Sequence, residues 1–352
     1  NLLRVPRWRG NGMSIARLMQ RAAAGGGAPA PEPDFLMTVT TTTSSETFTI
    51  PCQNVGTFSC TVDWGDGSTS AITAYNDADL AHTYATADDY QIRITGTFPN
   101  INFNNGGDRS KVKSVENLGT VGWTRLDGAF FGCSNMTSFV AGTSGTSSVT
   151  TMIFMFRGCS SLTTLDMSGF DTSSSTSMGS MFHTCSSVTS LDLSSFVTTS
   201  VTTMNRMFNG MTVLLSVDLS GFDTSSVTDM GFMFYFCQGI TTLDLSNFDT
   251  SSVAQMGSML RFLPDLTDLI GVGDFDIEGL NGTGDLSLFA ASTTIPTARY
   301  DDILIKWDAQ DPFNGIAAHF GNSTYTGGGT AAAARANLIS TDGWTISDGG
   351  IA

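Results

Sequence analysis

The sequence predicts a mainly β protein with short helices: a small β-sandwich, then a solenoid of 26-residue repeats, then a C-terminal α/β cap. Three observations carry this. Cys133, Cys159, Cys185, Met211, Cys237 and Leu263 stand 26 residues apart, as do Phe130, Phe156, Phe182, Phe208, Phe234 and Leu260, and Leu126, Met152, Met178, Met204, Met230 and Met256. Fixed periods of 20 to 50 residues mark stacked repeats, in which no unit buries its apolar side alone. Short runs rich in β-formers, FLMTVT, TFTIP, FSCTVDW and YQIRITG, precede the repeats and are parted by turn residues. Finally, charged residues make up only 14% of the chain while mean hydropathy is near zero, so the polarity rests on Ser, Thr, Gly and Asn, as in stacked β structure.

The same composition narrows function. At about 150 residues per domain, 352 residues make two or three domains with ample core. A net charge of −16, from 16 Lys plus Arg against 32 Asp plus Glu, disfavours nucleic acid and anionic membrane surfaces. No apolar run is long enough to span a bilayer. Six Cys are too few for a disulfide scaffold in a chain of this length.

Residues 1–33 are read as a basic anchor arm and linker. Arg4, Arg7, Arg9, Arg17 and Arg21 precede the first acid, Glu32. Met13 to Ala24 can form a short helix with Ile15, Leu18 and Met19 on one side, ended by Gly25-Gly26-Gly27 and PAPEP. The arm is expected to dock into a larger protein assembly; a disordered tail is the competing reading. No secretory leader is evident, and MSIARLMQ reads as a start that would make residues 1–12 an upstream extension.

Residues 34–111 are read as the sandwich. Ile92 and Ile94 alternate with Gln91, Arg93 and Thr95, and Gly65-Asp66-Gly67-Ser68 supplies a tight turn after Trp64. Asp63 and Asp66 lack calcium-loop spacing, and His82 has no second ligand near it, so both are expected to be structural. Cys52 and Cys60 flank a turn, and their pairing is left open. The segments Val62-Asp63-Trp64-Gly65-Asp66-Gly67-Ser68, His82-Thr83-Tyr84 and Asp89-Tyr90-Gln91-Ile92 resemble the polycystic-kidney-disease-type (PKD-like) immunoglobulin-fold domain. That resemblance implies a spacer or interaction module.

Residues 112–270 hold the repeats. Leu162, Leu165, Met167 and Phe170 follow an L-x-x-L-x-L strand pattern, whereas Val227, Met230, Met233, Phe234 and Cys237 fall on one face of a short helix. Each unit should therefore give one strand to a parallel sheet and one short helix to the opposite side. The Cys column accepts Met or Leu, so it is expected to supply buried apolar volume and not thiolate chemistry. His183 faces Arg157, Asn209, Tyr235 and Arg261 at equivalent positions, which argues against a Cys/His nucleophile with Cys185. Asp166, Asp192, Asp218 and Asp244 form a column of like charges whose mutual repulsion is about 0.9 kcal/mol per neighbour in water, offset by Ser, Thr or main-chain donors or else by a bound cation. Asp171, Asp223 and Asp249 read as turn residues that accept main-chain hydrogen bonds.

The run SGFDTSSVTDMGFMFYFCQGITTLDLSNFDTSSV is similar to the BspA-like, or Mycoplasma lipoprotein-type, leucine-rich repeat, over about Val112 to Leu269. That family occurs in bacterial surface proteins and in some phage structural proteins. The resemblance implies a right-handed solenoid used for adhesion or binding, with no catalytic residues to carry over. Its surface members carry a signal peptide or a lipoprotein Cys, and neither is visible here.

Residues 271–352 are read as a cap over the open end of the stack, with helices at 297–308 and 330–340. His319 and the adjacent Asp301 and Asp302 are assigned to cap structure in preference to acid/base work.

Outward positions vary from unit to unit, and the fifth is the most aromatic. Phe232, Tyr235 and Phe236, with Arg261 and Phe262 beside them, are the expected contact site, unless a neighbouring domain or the cap covers them. The expected function is a non-enzymatic structural and binding protein on a virion surface, a phage fibre or decoration protein. Its arm would contact capsid or tail proteins, and its solenoid a host-surface protein or glycan. The alternative is a bacterial cell-surface adhesin; a glycan hydrolase ranks third, since no G-x-S-x-G, H-E-x-x-H or P-loop occurs. No cofactor, metal, nucleic acid or membrane insertion is expected, and homo-oligomerisation is left open.

Overall fold

The computed structural model describes residues 34–142, 144–280, 286–310, 312 and 314–352. The arm expected to act as an anchor, its five arginines Arg4, Arg7, Arg9, Arg17 and Arg21, and the helix expected over 13–24 lie outside these residues.

Alternating burial builds the first region. In β1 (Phe35–Thr40) Phe35, Met37 and Val39 are wholly buried and the residues between them are not, the period of a half-buried strand. With β2 (Glu46–Thr49), β3 (Ser59–Asp63), β4 (Thr69–Ile72), β5 (Ala81–Tyr84) and β6 (Asp89–Thr97), it forms two antiparallel groups, β4-β3-β6-β1 and β2-β5. The predicted Gly65-Asp66-Gly67-Ser68 turn joins β3 to β4, and its carboxylate Asp66 accepts from the Ser68 N–H (2.9 Å) and lies 2.7 Å from His82 Nε2. His82 also stacks on Trp64 at 4.9 Å, the structural role expected of it. Cys52 and Cys60 are both free thiols.

The first sheet does not stop at residue 111. Strand β7 (Val112–Asn117) pairs antiparallel with β1 and parallel with β8 (Ser138–Val140), which pairs parallel with β9 (Thr164–Asp166). One seven-stranded sheet, β4-β3-β6-β1-β7-β8-β9, thus crosses from the first region into the repeats. Farther on, β10 (Ser190–Asp192) pairs with β11 (Ser216–Asp218), and β12 (Thr242–Asp244) with β13 (Asp268–Ile270), in register at 26 residues. The described residues after the arm make one compact unit.

The opposite side of each unit differs from expectation. Among the described residues the α-helices are α1 (Thr297–Asp308) and α2 (Thr330–Ser340), where the sequence placed them, and the repeats contain none. Each unit instead runs through linked turns. Alternate N–H groups donate three residues back, as Met155 to Met152 O and Arg157 to Phe154 O; those between donate to the next unit, as Met152 to Ser177 O, Phe154 to Gly179 O, Phe156 to Met181 O and Gly158 to His183 O. Left-handed residues at two columns make this path possible. Phe154, Ser180, Arg206, Phe232 and Ser258 have φ of 55 to 61°, and four residues on, Gly158, Thr184, Gly210, Phe236 and Phe262 have φ of 59 to 75°. A left-handed residue every fourth position forbids a continuous helix.

Between the two sides lies an apolar interior. Phe130, Phe156, Phe182, Phe208 and Phe234 stack with centroids 5.3 to 5.9 Å apart, and Phe170, Phe196 and Phe222 form a second stack at 6.3 and 6.4 Å. The Met column 152–256 is fully buried beside them. Buried Thr residues close the polar groups of the third corner: Thr172 Oγ1 accepts from Val197 N (2.8 Å) and donates to Val197 O (2.9 Å), a pattern Thr198 repeats with Asp223.

Past Leu269 the turn pathway continues. Ser258, Leu260 and Phe262 donate to Ser287, Phe289 and Ala291, and Leu288 and Ser292 again have φ of 56 and 60°. The stretch after Leu269 is therefore a change of spacing within the same pathway: the columns resume four residues late. The cap then adds α1, the parallel pairs β14 (Ala317–His319) with β16 (Thr345–Ser347) and β15 (Thr324–Tyr325) with β17 (Gly350–Ile351), and α2. Asp348, 2% exposed at its side chain, takes both Arg335 (2.8 and 3.1 Å) and the Tyr300 hydroxyl (2.6 Å), tying both helices to the last strands. Asp301 accepts from the Thr326 N–H and hydroxyl, Asp302 pairs with Lys306 at 3.1 Å, and His319 Nδ1 accepts from Gly321 N. No described helix is long and apolar enough to cross a membrane.

Candidate binding face

The left-handed column and the column three residues after it form the variable side of the turn pathway. Phe154, Ser180, Arg206, Phe232 and Ser258 share backbone conformation and nothing else; Phe131, Arg157, His183, Asn209, Tyr235 and Arg261 vary equally. The backbone does the same work at every unit, so the side chains are free to differ.

The structure brings all five expected contact residues together. Tyr235 lies 5.7 Å from Phe232, 5.2 Å from Phe236 and 5.7 Å from Phe262, and Phe236 lies 4.7 Å from Phe262. The Arg261 guanidinium caps the Phe262 ring at 4.7 Å and the Tyr235 ring at 5.7 Å. All five are half-buried, and the contacts covering them include ring on ring and guanidinium on ring. Each such ring or cation–ring contact is worth about 0.5–1.5 kcal/mol.

Four participants were not singled out by sequence. Arg206 lies 4.4 Å over Phe232, and a second cluster sets Arg157 at 5.0 and 5.2 Å over Phe131 and Phe154. The signal that could have found them is the two columns taken together, where every unit but the third carries an Arg, Phe or Tyr. Arg157, Arg206 and Arg261 have no carboxylate in ion-pair contact among the described residues, whereas Arg93, Arg125, Arg299 and Arg335 each do. Arg206 reaches the nearby Asp229 only through Asn205, which accepts from the guanidinium (2.8 Å) and donates to Asp229 (3.0 Å). Arg261 Nε is buried without a hydrogen-bond partner. His183 reports the local field: burial, then the charges of Arg157 and Arg206, lower its pKa to about 4.

The strand side offers a second surface of opposite sign. Asp192, Asp218 and Asp244, with Ser190, Ser216, Ser220, Ser246 and Asn247, line an open depression of ≈ 520 Å³. Each Asp of the column turns one oxygen back to the chain, accepting from the N–H two residues on at 2.9 to 3.0 Å. Those bonds, with the Ser hydroxyls, hold Asp166, Asp192 and Asp218 below the usual carboxylate range. Among the described residues no group of three or more His, Cys, Asp or Glu is arranged to hold a metal. Asp171, Asp223 and Asp249 accept from Ser173, Ser225 and Ser251 N–H, the turn role expected.

The thiol column faces inward. Cys159, Cys185 and Cys237 donate to the carbonyls of Phe130, Phe156 and Phe208 in the preceding unit at 3.0 to 3.2 Å. Burial pushes the Cys185 and Cys237 thiols up to about 12, which removes thiolate chemistry at neutral pH.

Residues 124–242 and 187–277 match the family model described as "Mycoplasma protein of unknown function, DUF285", so this stretch is similar to that repeat family. No curated protein and no solved structure matches the chain.

Proposed function

We propose that this chain is a non-enzymatic binding protein: a right-handed leucine-rich-repeat solenoid, carried on a PKD-like domain, that presents its turn face to a partner from a virion surface. One observation carries the reading. Within the repeats the buried columns repeat one small set of side chains, while the two columns beside the turn ladder vary and collect arginine and aromatic residues. A fold that spends its constancy on stacking and its variation on one face has the arrangement of a recognition surface.

The virion placement rests on the basic arm of an otherwise acidic chain, suited to docking on a protein assembly, and on the occurrence of such repeats in phage structural proteins. The alternative, a bacterial cell-surface adhesin, is supported by the match to a Mycoplasma family model. The arm distinguishes them. The full chain and a variant lacking residues 1–33 are compared for co-purification with phage particles, and both are tested for attachment to host cells. The proposal expects particle association to require the arm, and attachment to survive its removal but fall in Phe232→Ala/Tyr235→Ala. Attachment that ignores the double substitution removes the turn face as the contact surface.

A further inference from the structure

The turn face carries one arginine on every second unit: Arg157 in the second, Arg206 in the fourth, Arg261 in the sixth. We propose that these arginines bind an extended acidic polysaccharide in which a carboxylate recurs on alternate sugars. This deepens the reading above, since it names the ligand class of that face.

Charge is the first argument. In a protein of net charge −16, three arginines share one face without a carboxylate partner among the described residues, and His183 between two of them is held neutral. Cations left unpaired on an acidic protein mark where an anion is accepted.

Geometry is the second. Each guanidinium lies over an aromatic ring, at 5.0 Å for Arg157 on Phe131, 4.4 Å for Arg206 on Phe232 and 4.7 Å for Arg261 on Phe262. Stacking fixes the guanidinium plane; Arg206 Nη1 is held by Asn205 Oδ1 and Arg261 Nε is buried, so it is the remaining N–H groups that would meet a planar carboxylate. The arginines are thus organised before the ligand arrives, which lowers the entropy lost on binding.

Spacing is the third, and it selects the polymer. Units on the turn side are joined by main-chain hydrogen bonds, which set backbones about 4.8 Å apart, and the Phe rings stack at 5.3 to 5.9 Å, so arginines on alternate units recur at about 10–12 Å, with Arg206 offset by three residues from the column of Arg157 and Arg261. An extended pyranose chain advances by a comparable distance over two sugars. A β-extended acidic peptide brings side chains to one side about every 6.7 Å and falls out of step after one unit pair.

Hyaluronan oligomers, which bear a uronate on every second sugar, are the probe, titrated against the full chain. Expected are saturable binding that weakens with added salt, loss of binding to the carboxyl-reduced oligomer, and affinity about tenfold lower in Arg206→Gln/Arg261→Gln, titrated below the onset of that variant's melting. Arg206→Lys/Arg261→Lys keeps the charges, loses the fork, and should fall between; it also serves if the Gln pair is poorly folded. The proposal is overturned if hyaluronan does not bind, if the reduced oligomer binds equally, if poly-L-glutamate binds as tightly, or if both double variants bind like the parent. Any of these together with cell attachment that still depends on Phe232 and Tyr235 rejects the polysaccharide and leaves the contact face standing.

Discussion

The two long sides of the repeats are built from the same units yet held together differently. On the strand side, the three-residue strands pair in broken groups: β7 to β9 in one sheet, then β10 with β11, then β12 with β13. On the turn side, four main-chain hydrogen bonds join each unit to the next without interruption from Leu126 to Phe236, and Ser258, Leu260 and Phe262 carry the pathway into the cap. Regularity therefore resides in the turns, where no regular secondary structure is found. The strand side, with its acids turned back on their own backbone, is the more loosely ruled.

The largest test of this contrast sets Phe182→Ala against Val217→Ala. Phe182 is fully buried between Phe156 and Phe208, and its loss should cost about 3–5 kcal/mol, while half-buried Val217 on the strand side should cost about 1 kcal/mol. Chemical denaturation measures both; equal losses would mean that the two sides contribute alike.

The second test uses pH. His183 binds its proton at about 4 in the folded chain and near 6.5 when unfolded, so the unfolded state takes up protons first as pH falls. Stability should therefore decline from about pH 6.5 towards 4, by roughly 1–2 kcal/mol after allowance for a half-exposed ring. The lowered carboxyls of Asp166, Asp192 and Asp218 contribute stability above their unfolded value of 3.8, lost only as pH falls below it. Melting curves of the parent and His183→Asn should thus diverge between pH 6.5 and 4 and run parallel below.

The smallest effect concerns backbone strain. Thr184 is β-branched and exposed at φ 59°, in a column where Gly158 and Gly210 take the same conformation. Thr184→Gly should stabilise by about 0.5–1 kcal/mol, the left-handed penalty less the added freedom of the unfolded chain. A melting temperature that drops instead would show that the Thr184 hydroxyl bond to His183 O outweighs the strain.

Those left-handed columns also explain which parts were legible in the sequence. The period, the buried Phe, Met and Cys columns and both cap helices could be read because apolar volume repeats visibly or follows a helical face. The turns could not. Val227, Met230, Met233, Phe234 and Cys237 keep an inward spacing that a helix and a chain of turns share, and the residues that separate the two, Phe232 and Phe236, are not residues one associates with positive φ. Only Gly128, Gly132, Gly158 and Gly210 in the same columns hinted at it. The cap's continuity was hidden by the stretch after Leu269 that shifts the columns by four residues. At the candidate face, the sequence pointed to the aromatic cluster but not to Arg206 over Phe232 or to the second cluster of Arg157 with Phe131 and Phe154, because stacking across units depends on which neighbours the turns bring side by side.

Because every repeat meets its neighbours through the same main-chain rungs, each has an upper and a lower surface that already fit one another. An in-frame tandem duplication in the gene would slip in an extra storey with no new contacts to invent, and a deletion would remove one as cleanly. The length of the wall is thus set by how many storeys the gene encodes, while the masonry stays the same.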